Sequence, residues 1–222
     1  MSTVVSASVQ EAIQAFQSGE PVLVHDAADR EGETDLMFPA GAVDHRRVAQ
    51  LRNDAGGLIC VAVDAPVAEA FELPLLQHNL DHPATHNHDL AYDDRSSFSI
   101  TVNHRDTRTG ITDRDRAHTI VELARAAAEP AAYEFANSFR SPGHVHLLRA
   151  ADGLLDERQG HTEFGVFLAR EAGSSPAVVV CEMLDDETGH ALSPDQARSY
   201  AVRHGAPYLE GEKLLATRLY DR

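Results

Sequence analysis

Residues 26–35 read Asp26-Ala27-Ala28-Asp29-Arg30-Glu31-Gly32-Glu33-Thr34-Asp35, five carboxylates and one arginine. They are wedged between two apolar runs, Val22-Leu23-Val24-His25 and Leu36-Met37-Phe38-Pro39. The flanking runs favour a buried sheet, whereas the acids between them repel one another and resist burial. A fold meets both demands by turning the acids to water, or by gathering them around a multivalent cation or a positioned substrate. In an extended chain Glu31, Glu33 and Asp35 share one face; in a helix Glu31 and Asp35 still do. Either way the segment can aim several carboxylates at one point. Charge runs often simply face water, the more so in an acidic chain, so the remaining sequence has to decide.

At 222 residues and 43% hydrophobic, the chain is long enough to bury a substantial core. A formal net charge of -16 argues against nucleic-acid phosphate as a partner. Lys213 is the one lysine and arginine supplies the other cations. An acidic, lysine-poor surface points to adaptation to high salt, where screening relieves self-repulsion. The start, Met1-Ser2-Thr3-Val4-Val5, lacks a basic region followed by an apolar stretch, and no apolar run approaches the ~20 residues of a membrane span. A soluble cytoplasmic protein is expected, with no membrane partner. Cys60 and Cys181 sit inside apolar runs and read as buried, reduced thiols.

Ser8 to Glu11 reads as a capping box opening a helix that stops at Gly19. A strand at 22–25 follows. Asp44 can cap a helix through Val48 and Leu51. Further strands are predicted at 58–63, 97–102, 145–149 and 177–182, and a short one at 207–209. Phe98, Ile100 and Val102 should share one face. Helices are predicted from Asp113 or Asp115 to before Pro130, over about 162–172, from Ser193-Pro194, and at the end. There is no Gly-rich dinucleotide motif, P-loop, repeat or linker. The class is α+β: a layered mixed β-sheet with helices, with residues 1–222 forming a single compact domain. The least regular stretch is 77–95, which carries His78, His82, His86 and His88.

Other segments can carry chemistry. Pro142-Gly143-His144-Val145-His146 puts His144 after a Pro-Gly turn at a strand start. In Arg158-Gln159-Gly160-His161-Thr162-Glu163, Gly160 permits close backbone approach, Thr162 can cap the following helix, and Arg158 adds a forked donor. The free N–H groups of such a helix start bind phosphate or carboxylate. Glu182 ends the apolar strand Val178-Val179-Val180-Cys181, where partial burial would suit it to proton transfer.

Together these segments resemble the 3,4-dihydroxy-2-butanone 4-phosphate synthase family. The resemblance is carried by Asp29 to Asp35, Thr109-Gly110-Ile111-Thr112-Asp113-Arg114-Asp115-Arg116, Pro142-Gly143-His144-Val145, Gly160-His161-Thr162-Glu163 and Cys181-Glu182, in family order over nearly the whole chain. Arg95-Ser96-Ser97-Phe98-Ser99-Ile100 looks most like the archaeal branch. Such a lyase turns D-ribulose 5-phosphate into formate and L-3,4-dihydroxy-2-butanone 4-phosphate for riboflavin, using Mg2+ or Mn2+. The resemblance implies two ions per site, with Glu31 and His161 as metal ligands. It implies substrate contacts at Arg30, Glu31, Asp35, Thr112, Arg158, Gly160, His161, Thr162 and Glu182. It makes His144 and Glu182 essential for proton transfer. It further implies a homodimer with the active site at the interface. From the residues themselves, Glu33 joins them as a catalytic candidate beside the metal.

Two positions depart from the family pattern: Gln159 stands where a second glycine is common, and Thr112-Asp113 where Ser-Ala is common. Many bacterial members continue into a GTP cyclohydrolase domain; at this length a monofunctional protein is expected. The competing readings are a metal-dependent phosphosugar isomerase or hydrolase built on the same side chains, and a non-catalytic ligand-binding module.

Overall fold

The computed structural model describes residues 9–27, 29–86, 90 and 95–218. Ser8, expected to cap the first helix, and His88 of the histidine-rich stretch lie outside them. The elements in chain order are α1 (Val9–Gln17), β1 (Val22–His25), β2 (Thr34–Pro39), α2 (His45–Gln50), β3 (Cys60–Val63), α3 (Ala65–Ala70), α4 (Leu76–Asn79), β4 (Phe98–His104), α5 (Asp113–Ala128), α6 (Phe135–Ser138), β5 (Phe139–Arg149), α7 (His161–Glu171), β6 (Ala177–Val180), α8 (Pro194–His204), β7 (Tyr208–Glu210) and α9 (Gly211–Arg218). The seven strands form one mixed sheet in the order β4-β5-β3-β6-β2-β1-β7. The α+β class and the mixed sheet therefore stand as expected. No described helix is long and apolar enough to cross a membrane.

The central strands are continuous apolar runs because both sheet faces are covered. Alternate residues enter two separate cores. Leu23, Val61, Val63 and Val179 pack beneath α2, α5 and α8, whereas Val22, Val24, Cys60, Ala62, Val178 and Val180 pack beneath α1, α7 and α9. Local signals set the helix starts. Asp44 accepts the N–H groups of Arg46 and Arg47, and Ser193 accepts that of Gln196 with Pro194 in the first turn. Thr112, rather than either aspartate after it, caps α5 by accepting the Asp115 N–H at 3.1 Å.

Three local expectations change. Phe98, Ile100 and Val102 do not form one buried stripe: β4 slips register against β5 twice, leaving Phe98 exposed and Ser97 and Ser99 buried. The first slip, between Phe98 and Thr101, is of one residue and so exchanges the faces beyond it; the second follows Val102 and adds four residues to β5. Pro142-Gly143 is not a turn before a strand but lies within β5, which begins at Phe139. A Cβ on Gly143 would lie 2.0 Å from the Val102 carbonyl carbon, so only glycine fits where the strands close up. Thr162 is not the cap of α7; Gly160 occupies that position.

Candidate active site

The acidic segment is neither strand nor helix at its centre. Asp26, buried at the end of β1, accepts the N–H of Glu31 at 3.2 Å and that of Glu33 at 3.0 Å. These bonds fold residues 29–31 into a turn. Gly32 follows with φ 67°, a conformation that side chains with a Cβ disfavour. The chain then enters β2, so Glu31 and Asp35 are brought together by a turn and not by periodicity.

Strand register does the rest. Asp35 forms an antiparallel bridge with Glu182, just past β6. Met37 and Val180 belong to the α7-side core, so Asp35 and Glu182, two residues away on each chain, face the start of α7. There His161 Nδ1 lies 3.1 Å from Glu31 Oε2 and 3.7 Å from Asp35 Oδ1. Glu31, Asp35, Arg158, His161, Thr162 and Glu182 all line a cavity of about 220 Å3. Cys60, Phe98, Leu148 and Val180 supply apolar wall. A wider, more open hollow of about 650 Å3 lies elsewhere, around Asp54, Tyr200 and His204, and has none of these groups.

One rim of the cavity is cationic. Arg158 donates to Glu163 Oε2 at 2.7 Å, and Arg30 donates to the Gln159 carbonyl at 2.6 Å. Both guanidiniums crowd Gly160, where a Cβ would sit 2.4 Å from Arg158 Nη1 and 2.9 Å from Arg30 Nη1. Glycine is therefore required for space. The contact made by residue 159 runs through its carbonyl, so glutamine serves as well as glycine. Glu163 is fully buried and also accepts the N–H groups of Ala151 and Gly160, which fixes Arg158 beside the N-terminus of α7.

The electrostatics are those of a site short of positive charge. Burial raises the Asp35 carboxyl to about 8; His161 opposes this, while Glu182, Glu31 and Glu33 add to it. Burial works against charge on His161, but Asp35, Glu31 and Asp26 outweigh it and raise its pKa to about 9. Burial, then Glu31 and Glu182, raise that of Glu33. Glu31 moves the other way: burial opposes its charge, yet the His161 hydrogen bond and Arg158 and Arg30 lower its pKa.

Two buried atoms, His161 Nε2 and Asp35 Oδ1, have no hydrogen-bond partner. Asp26, Glu31 and His161 each offer a ligand atom within 4.8 Å of the others. An imidazole and hard carboxylates with lone pairs to spare fit a divalent cation.

A family model described as 3,4-dihydroxy-2-butanone 4-phosphate synthase matches residues 10–217. The chain belongs to that family. It is 48% identical over 221 residues to the 3,4-dihydroxy-2-butanone 4-phosphate synthase of Methanosarcina acetivorans, covering 94% of this chain and 90% of that one. A crystal structure of a 3,4-dihydroxy-2-butanone 4-phosphate synthase in complex with two magnesium ions superposes with a TM-score of 0.81 at 32% identity, over 95% of this chain and 96% of that one. A two-domain synthase from A. baumannii superposes at 0.83 with 28% identity; this chain spans 59% of its length.

Not every expected site residue lines this cavity. Arg30 and Gly160 stand behind its rim, and Glu33 is half-buried beside Glu31. Thr112 and His144 are exposed and do not line it. His144 is held by Asn103, whose Oδ1 accepts the His144 N–H at 2.8 Å and whose side chain meets the His144 ring at 3.2 Å. Asn103 and the cavity wall at Cys60 were not signalled by the sequence. Asp26, which holds the acidic turn, also stands among the metal-ligand candidates. Of the histidine-rich stretch, His78, His82 and His86 are exposed.

Proposed function

We propose that this chain is a lyase that converts D-ribulose 5-phosphate into L-3,4-dihydroxy-2-butanone 4-phosphate and formate for riboflavin biosynthesis, with Mg2+ or Mn2+ and two ions per site. The observation that carries this is the convergence of Glu31, Asp35, His161 and Glu182 with Arg158 on one cavity. Family membership and the magnesium-bound relative support it.

Arg158, Arg30 and the amide groups opening α7 would hold the substrate phosphate. Glu31 and His161 would hold the metal, with Asp26 alongside. When bound, the divalent ion supplies Lewis-acid stabilisation of charge on the vicinal oxygens at carbons 2 and 3. A carboxylate of the group then takes the carbon-3 proton. Asp35, whose carboxyl burial raises to about 8, can accept and return a proton near pH 7, and burial raises the Glu33 carboxyl as well. Glu182 has its Oε2 fixed by the Leu58 N–H at 2.7 Å. The apolar wall limits competing water.

His144 and Thr112 would act at the open side of the site in a homodimer. Thr112 can serve there because its hydroxyl uses a lone pair for capping and keeps its proton for a phosphate oxygen. Exposed Leu58, Phe98, Ile111 and Leu184 give such an interface apolar area to bury.

The deciding assay is formate release from ribulose 5-phosphate with Mg2+, and its loss with EDTA. Isomerised sugar without formate would show an isomerase instead, and free phosphate a hydrolase.

A further inference from the structure

A second group of ligand-type side chains lies outside the cavity. His104 ends β4, Asp106 follows it, and His118 projects from α5; each offers a ligand atom within 4.8 Å of the other two. The two imidazole rings are 4.7 Å apart between centroids. His104 Nδ1 is 3.8 Å from Asp106 Oδ2. Glu122, one turn beyond His118, has Oε1 4.0 Å from His118 Nδ1 and is paired with Arg125.

The backbone beneath this group is pinned. The buried Thr119 hydroxyl accepts the His104 N–H at 3.0 Å, and the buried Thr107 hydroxyl donates to the His104 carbonyl at 2.7 Å. The strand end and the helix are thus locked together, and His118 is the neighbour of the locking threonine. Two histidines on packed elements with an exposed aspartate form an N2O donor set. The Asp106 N–H, 3.3 Å from His104 Nδ1, is a weak bond that a metal would replace.

We propose that His104, Asp106 and His118 form a second metal site, for a borderline cation such as Zn2+ and distinct from the carboxylate-rich centre in the cavity. Imidazole-rich sets select zinc over magnesium, whereas oxygen-rich sets do not. Glu122 can orient the His118 ring from behind, as carboxylates beside zinc-bound histidines do. An ion there would staple β4 to α5 and steady the loop 105–112.

The test is calorimetric Zn2+ titration of the whole protein in saturating Mg2+, repeated for His118→Ala, Asp106→Asn and His161→Ala. Wild type and His161→Ala should bind Zn2+ at this site, whereas His118→Ala and Asp106→Asn should bind it at least about 10-fold more weakly. Formate release in Mg2+ should be unchanged in those two. Should His118→Ala fail to fold, Asp106→Asn, at an exposed position, decides alone. Equal Zn2+ affinity in wild type and the variants at 106 and 118, or uptake lost only in His161→Ala, would overturn the proposal.

Discussion

Glu31 and His161 touch across 130 positions of chain, at 3.1 Å. With Asp26 they form the candidate metal-ligand group proposed above. Glu31→Ala and His161→Ala should each abolish formate release while leaving the circular dichroism spectrum intact; full activity in both would refute the metal-site assignment. The protons in this site also set a pH dependence. Asp35 rises from 3.8 to about 8 and His161 from 6.5 to about 9. Both folded values lie above the unfolded ones, so the metal-free fold binds more protons than the unfolded chain. The His161 contribution to stability is complete below 6.5 and lost as pH rises through about 9; the penalty for ionising Asp35 grows from 3.8 and is complete above about 8. Metal-free protein should therefore melt lower at pH 9 than at pH 6. A cation needs the deprotonated ligands, so Mg2+ should bind more tightly, and raise the melting temperature more, at the higher pH. A metal-induced shift that shrinks with rising pH would contradict this.

At the scale of elements, β2 and α7 build the site and their local sequences explain how. β2 is apolar except at its entry, so Asp35 is buried while the turn before it stays near solvent. The start of α7 is held by the buried Glu163 and relieved of side-chain bulk at Gly160. Gly160→Ala should displace both guanidiniums without straining the backbone, whose φ there is -107°. The Michaelis constant for the phosphosugar should rise by roughly 10-fold, equivalent to about 1.4 kcal/mol, with kcat less affected. A change confined to kcat would argue against a phosphate-binding role. The strand with Phe98 shows the limit of pattern reading: alternation in 97–102 is real, but a register slip between Phe98 and Thr101 redistributes its faces.

At the scale of the molecule, charge and assembly matter. A net charge of -16 with one lysine should make the fold salt-hungry, since the Debye length shrinks to about 3 Å at 1 M salt. The melting temperature should climb with KCl, and a fall would sink the high-salt reading. If two chains share each site, mixing His144→Ala with His161→Ala should restore activity. Random pairing in a two-fold dimer allows roughly a quarter of wild-type sites to be whole. No recovery after subunit exchange would place both histidines in service of one chain's cavity.

The sequence by itself determined the apolar strands, the capped helices and the segments that carry the chemistry. Val178 to Cys181 and Ser193-Pro194 are local patterns, and local patterns follow from backbone geometry and side-chain chemistry, whereas the acidic segment, open to an extended or helical form in the sequence, is a turn set by Asp26. The sequence motifs singled out Glu31 and His161, which the fold brings to 3.1 Å of each other. Only the tertiary structure decided that Asp35 lies beside Glu182, that Asp26 joins Glu31 and His161, that Asn103 holds His144, and that Cys60 walls the cavity. Those relations depend on strand order and register between distant segments. Hydrophobic periodicity says which face a residue takes, but not which strand will lie next to it.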